Sequence, residues 1–455
     1  MQAIGRHFSF LDKEFVKKTL TIALPIAVTS LINFGVKAVD TLMLGIIGEI
    51  PLSAAALANQ LSLMFLIFAS GVGAGCGVLA SQYWGAGDKQ RVREIFAFML
   101  RVMFCLNMAF ASIAFFAPHM VLGIMTTDVE VIAYGTIYLR IMSAGYLVSG
   151  MTTASTVVIR SVGIVKMPML VYSVSLVVSA SLGFILIFGH LGFPAMGIRG
   201  AAIATATARF VEVIIISVCI LKFDQTLGFR VKDLFGRVGK IAKGFVKFGM
   251  PVVLNEALWA GAFFVLHIII GRMGREFVAA NAIGGLIMQF NGMFVFSMAS
   301  AMAVIIGNTI GEGRYERAQK IANGVLWLSF IIGLLCAVIV QIIRVPFVNF
   351  YNLSDVAHMY ALQITNIISV NIIFVSIALI SLMGTLRGGG DGKFVMIVDI
   401  IFMIFIAIPL GAYTGLVLGW PVWIVFIILR SEDFFKTIVV LWRVPRGKWI
   451  RDVMR

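Results

Sequence analysis

Two opposite charges lie inside an otherwise apolar stretch near the start of the chain. Lys37 and Asp40 fall within residues 24–60, LPIAVTSLINFGVKAVDTLMLGIIGEIPLSAAALANQ. A Lys or Asp at the centre of a membrane-spanning helix costs roughly 2.5–3.5 kcal/mol on insertion scales, so such a residue is a candidate functional group whose partner should be sought. Residues three positions apart share a helix face. The spacing therefore predicts an ion pair between Lys37 and Asp40, which either has a functional role or only locks helix packing.

The composition indicates which elements hold this pair. Of the 455 residues, 60% are hydrophobic and 13% are charged, whereas soluble domains contain about 25% charged residues. Apolar runs of about twenty residues recur along the chain, and each is long enough to cross a hydrocarbon core of roughly 30 Å. The alternating ten-residue segments typical of membrane barrels are absent. We therefore predict an all-α integral membrane protein with twelve transmembrane helices.

The two halves of the sequence match each other at a constant offset and without a gap. The matching positions are Pro25/Pro251, Gly35/Gly261, Gly45/Gly271, Gly48/Gly274, Ala54/Ala280, Gly85/Gly311, Gly87/Gly313 and Arg91/Arg317. An internal duplication of six helices with the same sidedness is typical of parallel repeats in secondary transporters. We predict bundles over residues 1–221 and 248–455, a cytoplasmic linker over 222–247, and a substrate cavity between the halves near the membrane midplane.

The basic residues fall on alternate loops, which predicts the orientation of the chain. Groups near Arg6, Arg91, Arg160, the linker and Arg387 lie on one side together with the carboxy-terminal tail. By the positive-inside rule both termini are cytoplasmic, in a multi-pass protein of the inner or plasma membrane. The net charge of +15 then faces anionic inner-leaflet lipid, which accounts for the charge without a nucleic-acid partner. The expected partners are the lipid bilayer and a small-molecule substrate. The expected oligomeric state is a monomer.

Motifs for enzyme chemistry are missing from the sequence. We find no HExxH, no GxSxG, no Walker A loop, and no His or Cys spacing suited to a metal. The chain is therefore not expected to be an enzyme or to hold a cofactor or metal. Without a nucleotide site, uphill transport must use a gradient of H⁺ or Na⁺.

Glu256 is the second candidate for ion coupling. It follows Pro251 by five residues and has no basic residue within one helical turn, so a proton carrier is one interpretation of it and a neutral carboxyl bonded to backbone is the other.

Polar residues are expected to line the substrate cavity. They are Asn33, Asn255, His267, Gln289, Asn291 and Asn371.

Two other acids lie three residues after an arginine. Glu212 follows Arg209 and Asp433 follows Arg430, which predicts a structural ion pair in each repeat. Asp399 lies about one and a half turns inside its helix, where it is expected to be accessible to water.

Several motifs together resemble the multidrug and toxic compound extrusion (MATE) family over essentially the whole chain. They are residues 24–60, the loop ASQYWGAGDKQRV with its repeat copy IGNTIGEGRYERA, the segment LRGGGDGK at 386–393, and MGIRGAAIATATAR in the sixth span. The resemblance implies a V-shaped exporter that exchanges Na⁺ or H⁺ for amphipathic, often cationic organic molecules. It also implies that Asp40 is the aspartate of the first helix that binds the coupling ion.

Departures from the family pattern bear on the coupling ion. One branch of the family has Asn and Asp sodium ligands on the fifth helix, where this chain has Ser179 and Gly183. The position three before the aspartate is usually Asn in the family and is Lys37 here. We therefore expect coupling by protons, in which protonation of Asp40 breaks its pair with Lys37 and Glu256 serves the second bundle.

Two functions remain open at this stage. The first is a drug or metabolite antiporter. The second is a flippase for lipid-linked precursors, in which Lys37 and Arg140 would suit an anionic pyrophosphate head group.

Overall fold

The chain is helical almost throughout. In the computed structural model, residues 13–223, 227–236, 238–351 and 353–454 are described, and these contain no strand. Arg6 of the first basic group and residues 224–226 and 237 of the predicted linker lie outside the described residues. The long helices are α1 (Lys13–Ile47), α2 (Glu49–Gly85), α3 (Lys89–Phe116), α4 (Val129–Ser161), α5 (Lys166–Phe188), α6 (Ile198–Leu221), α7 (Gly239–Arg272), α8 (Arg275–Gly311), α9 (Tyr315–Asn349), α10 (Asp355–Leu386), α11 (Gly392–Val417) and α12 (Val422–Arg443).

Most of these helices are long and apolar enough to span a membrane. Eleven segments of the described chain, α1 to α11, meet that requirement. The 22 residues of α12 are long enough to cross, but Arg430, Glu432, Asp433 and Lys436 lie in its middle. The prediction of an all-helical, multi-pass membrane protein is confirmed, and α12 is the twelfth helix.

The predicted linker is shorter than the sequence suggested. A short 3₁₀ helix covers Val231–Phe235, and α7 already begins at Gly239. Lys240 and Lys243 lie within the predicted linker and are helical, because lysine is a good helix former and charge alone does not end a helix.

The chain divides into two compact units. The amino-terminal unit comprises Pro25–Ala80 and Asp88–Val246. The carboxy-terminal unit comprises Lys247–Arg455 together with Ser81–Gly87 and the described residues up to Leu24. The last five residues of α2, Ser81–Gly85, therefore group with the second repeat, which the predicted ranges did not anticipate.

Each unit is built in the same way. In the amino-terminal unit α4 packs against α3 and α6, and α5 packs against α6. In the carboxy-terminal unit α10 packs against α9 and α12, and α11 packs against α12. Backbone turns also correspond, because Gly87 and Gly313, at matching positions, have φ of +77° and +73°, a conformation that glycine adopts without a Cβ clash. The duplication seen in the sequence thus appears as a repeated helix arrangement.

The end of α2 crosses the end of α8 through matched glycines. A Cβ at Gly85 would overlap the carbonyl oxygen of Asn308, and a Cβ at Gly311 would overlap the carbonyl oxygen of Gln82. Gly85 matches Gly311 in the repeats, and Gln82 matches Asn308. The contact is therefore reciprocal, and it places two helix backbones closer than any side chain allows, as small residues do in membrane helix packing.

Gly311→Ala is expected to destabilise the protein by about 1–3 kcal/mol, because the added methyl has no space against α2. The measurement is thermal unfolding of the purified protein in detergent. Gly285→Ala on the same helix is the matched control, since nothing lies within 4 Å of a Cβ there. Equal melting temperatures for the two variants would contradict the close crossing.

Candidate functional site

Asp40 lies in the amino-terminal unit, where α1 approaches α6. Its carboxylate is half-buried and accepts a hydrogen bond from the hydroxyl of Thr205 at 3.4 Å. It also interacts electrostatically with the guanidinium of Arg209, one turn further along α6, and with Tyr138 of α4.

The predicted pair between Lys37 and Asp40 is not formed. Lys37 is exposed, and among the described side chains no ion pair joins it to a carboxylate. Asp40 instead faces α6, and Arg209 of that helix interacts electrostatically with both residues, repelling Lys37 and attracting Asp40. The prediction was wrong because spacing on one helix permits a pair, whereas a neighbouring helix offers the carboxylate better-placed partners.

The predicted pair between Arg209 and Glu212 is confirmed. Arg209 Nη1 lies 2.9 Å from Glu212 Oε1 and 3.1 Å from Oε2. Ser175 of α5 also donates to Oε1, at 2.5 Å, and the Glu212 side chain is buried. Arg209 therefore interacts with two carboxylates, Glu212 on its own helix and Asp40 on α1.

Lys37→Met is expected to leave transport within about twofold of wild type. Lys37 forms no ion pair with a described carboxylate, so its removal leaves no carboxylate without its partner. Initial rates of substrate uptake into inverted membrane vesicles measure this. A loss of transport as complete as that of an Asp40 variant would instead support the pair predicted from the sequence.

Glu256 of α7 has a partner that the sequence did not suggest. Its Oε1 lies 2.6 Å from Nη1 of Arg387, at the end of α10. The charge pattern predicts a cytoplasmic loop at Arg387, but its side chain is only 6% exposed, and two of its nitrogens, Nε and Nη2, have no hydrogen-bond partner within the described chain. The interpretation of Glu256 as an unpaired acid is therefore wrong, because 131 residues of sequence separate two groups that the fold places in contact.

A buried cluster of charges lies between α11 and α12. Lys436 Nζ is 2.7 Å from Asp399 Oδ1 and 2.8 Å from Glu432 Oε2. All three side chains are at most 9% exposed. Asp399 is thus an internal ion-pair partner rather than the water-exposed acid that we expected.

Two of the predicted cavity residues bind an acid in this cluster or the neighbouring Asp433. Asn255 Nδ2 donates to Asp399 Oδ2 at 2.8 Å, and Asn371 Nδ2 donates to Asp433 Oδ2 at 2.9 Å. The predicted ion pair between Asp433 and Arg430 is not formed within the described part of the chain. The Arg430 guanidinium lies instead over the ring of Phe263, 5.8 Å from its centroid.

The other predicted cavity residues are not brought into contact with these groups. Asn33 is half-buried on α1, and His267 and Gln289 are exposed. Asn291 is buried, and its Oδ1 has no partner in the described chain. Their role as a cavity lining stays a prediction.

Residues that sequence reasoning missed are mostly basic. Lys436 and Arg387 became visible as ion-pair partners only in the structure, and so did Arg443, whose Nη2 lies 2.7 Å from the buried Asp391. Among the side chains that the structure describes, no group of three or more His, Cys, Asp or Glu has the geometry of a metal site.

A family model settles the membership of the chain. The model described as MatE matches residues 25–185 and again 251–413, once in each repeat and starting at Pro25 and Pro251. The chain belongs to the MatE family. This MatE protein is accordingly a multi-pass membrane transporter and not an enzyme, as the motifs in the sequence indicated.

Relatives of similar length support the assignment. The chain is 23% identical to the "Uncharacterized transporter YisQ" of Bacillus subtilis, over 97% of this chain and 96% of that protein. It is 24% identical to the "Probable multidrug resistance protein NorM" of Bacillus cereus, over 96% of this chain and 97% of that protein. The flippase hypothesis gains no support from these relatives.

Solved structures show the same MatE fold. A crystal structure of the Vibrio cholerae MATE transporter VcmN in the bent form matches with a TM-score of 0.86 at 17% identity, covering 96% of this chain and 97% of that one. The prediction of a MATE-type fold is therefore confirmed.

Proposed function

We propose that this MatE protein is a secondary antiporter that exports amphipathic, often cationic organic compounds in exchange for protons. The observation that carries the proposal is the position of Asp40, a half-buried carboxylate on a membrane-spanning helix. It has one hydroxyl ligand at 3.4 Å, and no ion pair to it is present among the described side chains. An acid held in this way is able to gain and lose a proton, which is the property that a proton carrier needs.

The surroundings of Asp40 favour a proton over a sodium ion. A sodium ion needs several oxygen ligands at once, whereas a proton needs one acid. The fifth-helix positions that carry sodium ligands in one branch of the family are Ser179 and Gly183, and Gly183 has no side chain to contribute. The positive charge of Arg209 beside Asp40 also disfavours a second cation. In this proposal the proton competes with Arg209 and Thr205 for the carboxylate, and not with Lys37 as the sequence suggested.

The substrate class is proposed from the relatives and the predicted lining. The Bacillus cereus relative is named a probable multidrug resistance protein. Polar but uncharged candidates such as Asn33, Gln289 and Asn291 would suit molecules that combine apolar surface with a delocalised positive charge. We also propose that the protein is a monomer of the plasma membrane with both termini in the cytoplasm.

The test is transport in inverted vesicles from which sodium is absent throughout. We expect uptake of a fluorescent organic cation when a pH gradient is imposed, and collapse of that uptake when an ionophore dissipates the gradient. Vesicles without the protein are the control. Uptake that requires sodium and persists without a pH gradient would refute proton coupling, while uptake of no organic cation would refute the substrate class.

A further inference from the structure

We propose that Lys436 is a resident cation, whose ammonium fills a site in the carboxy-terminal unit that would otherwise bind a monovalent metal ion such as Na⁺. The proposal rests on the proposed proton coupling and extends it to the carboxy-terminal unit. A site that the Lys436 ammonium already fills cannot take up a sodium ion for coupling. It concerns cation binding, so its test does not depend on whether Asp40 couples transport.

The ammonium is held as a bound cation would be. Its two carboxylate contacts, 2.7 Å to Asp399 and 2.8 Å to Glu432, come from two different helices, α11 and α12. Lys436 is 4% exposed, so the charge is removed from bulk solvent. Carboxylate oxygens from separate helices around a buried cation are typical of a metal-ion site. Here the cation is the ammonium of Lys436, which is covalently part of the chain.

The negative charge of the site exceeds that of its occupant. Asp433 is also buried beside the cluster and interacts electrostatically with Lys436. Arg430 acts on Asp433 electrostatically, but its guanidinium lies over the rings of Phe263 and Phe426. Two carboxylates contact the ammonium and a third carboxyl group is buried beside them, so removal of the ammonium would leave a buried excess of negative charge that attracts any cation small enough to enter.

A buried amide oxygen supplies a further potential ligand. Asn255 is 1% exposed, and its Nδ2 donates to Asp399 at 2.8 Å. Oδ1 of the same amide has no hydrogen-bond partner in the described chain, although a buried acceptor normally has one. Carboxylate and amide oxygens are the ligands that hard cations prefer, so the site has oxygen donors beyond those that Lys436 uses.

The experiment measures cation binding on the purified, full-length protein in detergent. Thermal unfolding is followed in NaCl, KCl and N-methylglucamine chloride at equal ionic strength and pH. We expect the melting temperature of wild type to be the same in all three salts. Lys436→Ala should melt lower in N-methylglucamine chloride and rise saturably with Na⁺, by roughly 3 °C or more once Na⁺ is about 100-fold above its dissociation constant.

Two controls separate a specific site from a general effect of charge. Lys320→Ala removes an exposed lysine on α9 and should show no saturable response to Na⁺. The double variant Glu432→Gln/Lys436→Met removes one carboxylate together with the ammonium, and it should respond to Na⁺ less than Lys436→Ala. Lys436→Ser, which adds a hydroxyl oxygen to the emptied site, is tested in parallel and should respond at least as strongly as Lys436→Ala.

Three results would overturn the proposal. Saturable stabilisation of wild type by Na⁺ would show that the unit binds the ion while Lys436 is in place. A response of Lys436→Ala and Lys436→Ser no larger than that of Lys320→Ala would show that the cluster is a structural ion-pair network only. Failure of both position-436 variants to fold with Na⁺ present throughout would show that the ion does not replace the ammonium.

Discussion

Asp40→Asn is expected to reduce proton-driven export to the level of vesicles without the protein, while the folded protein is retained. Asn has nearly the same size and can still accept a hydrogen bond from Thr205, so the stability should change by about 1 kcal/mol or less. The asparagine, however, cannot carry a proton between the two sides of the membrane. Substrate-induced proton release, followed with a pH-sensitive dye in proteoliposomes, measures the loss directly.

The matched control for Asp40→Asn is Glu316→Gln, which neutralises an exposed acid at the start of α9. Asp40→Glu is a second comparison, because it keeps a titratable carboxyl on a longer side chain and should retain part of the activity. Wild-type rates of proton-driven export in Asp40→Asn, with the melting temperature unchanged, would exclude this residue as the coupling group.

The second large effect is expected on stability, at the ion pair between Glu256 and Arg387. Glu256→Gln should destabilise the protein by about 3–5 kcal/mol, the cost of leaving one member of a buried pair alone. The Arg387 side chain is 6% exposed and already has two nitrogens without partners, and a guanidinium cannot lose its charge. Arg387→Met should cost less, because Glu256 is 18% exposed and its carboxylate is less buried than the guanidinium.

A double-mutant cycle tests this asymmetry. Glu256→Gln/Arg387→Met leaves neither charge buried and should be more stable than Glu256→Gln alone. Chemical unfolding in mixed micelles gives the free energies. Additive losses in the double variant would mean that the two side chains do not interact, and an equal cost for both single variants would contradict the argument from the fixed charge of Arg387.

If both predictions hold, the two units play different roles. The amino-terminal unit has a carboxylate on α1 with one hydroxyl ligand and a guanidinium beside it. In the carboxy-terminal unit Glu256 is paired with Arg387, and Asp399 is paired with Lys436. The proton that drives export would then bind in the first unit, whereas the second unit would supply fixed internal charges.

The three acid–base pairs that share a spacing of three residues show how far local sequence reasoning reaches. Arg209 and Glu212 form the pair that the spacing predicted, whereas Lys37 with Asp40 and Arg430 with Asp433 do not. In both failures another helix supplies the partner, Thr205 for Asp40 and Asn371 for Asp433. Spacing brings two side chains to one face of a helix, but long side chains have several rotamers, and the choice depends on what the neighbouring helices offer.

The sequence alone determined the helical membrane fold, the duplication and the position of Asp40 on its helix. These follow from the length of apolar runs and from residues that recur in order, which are local properties of the chain. Only the tertiary structure decided which charges meet, because Glu256 and Arg387, or Asp399 and Lys436, are far apart in sequence and adjacent only after packing. A buried charge must be neutralised by whatever group the fold brings to it, and that group is specified by helix packing rather than by its distance along the chain.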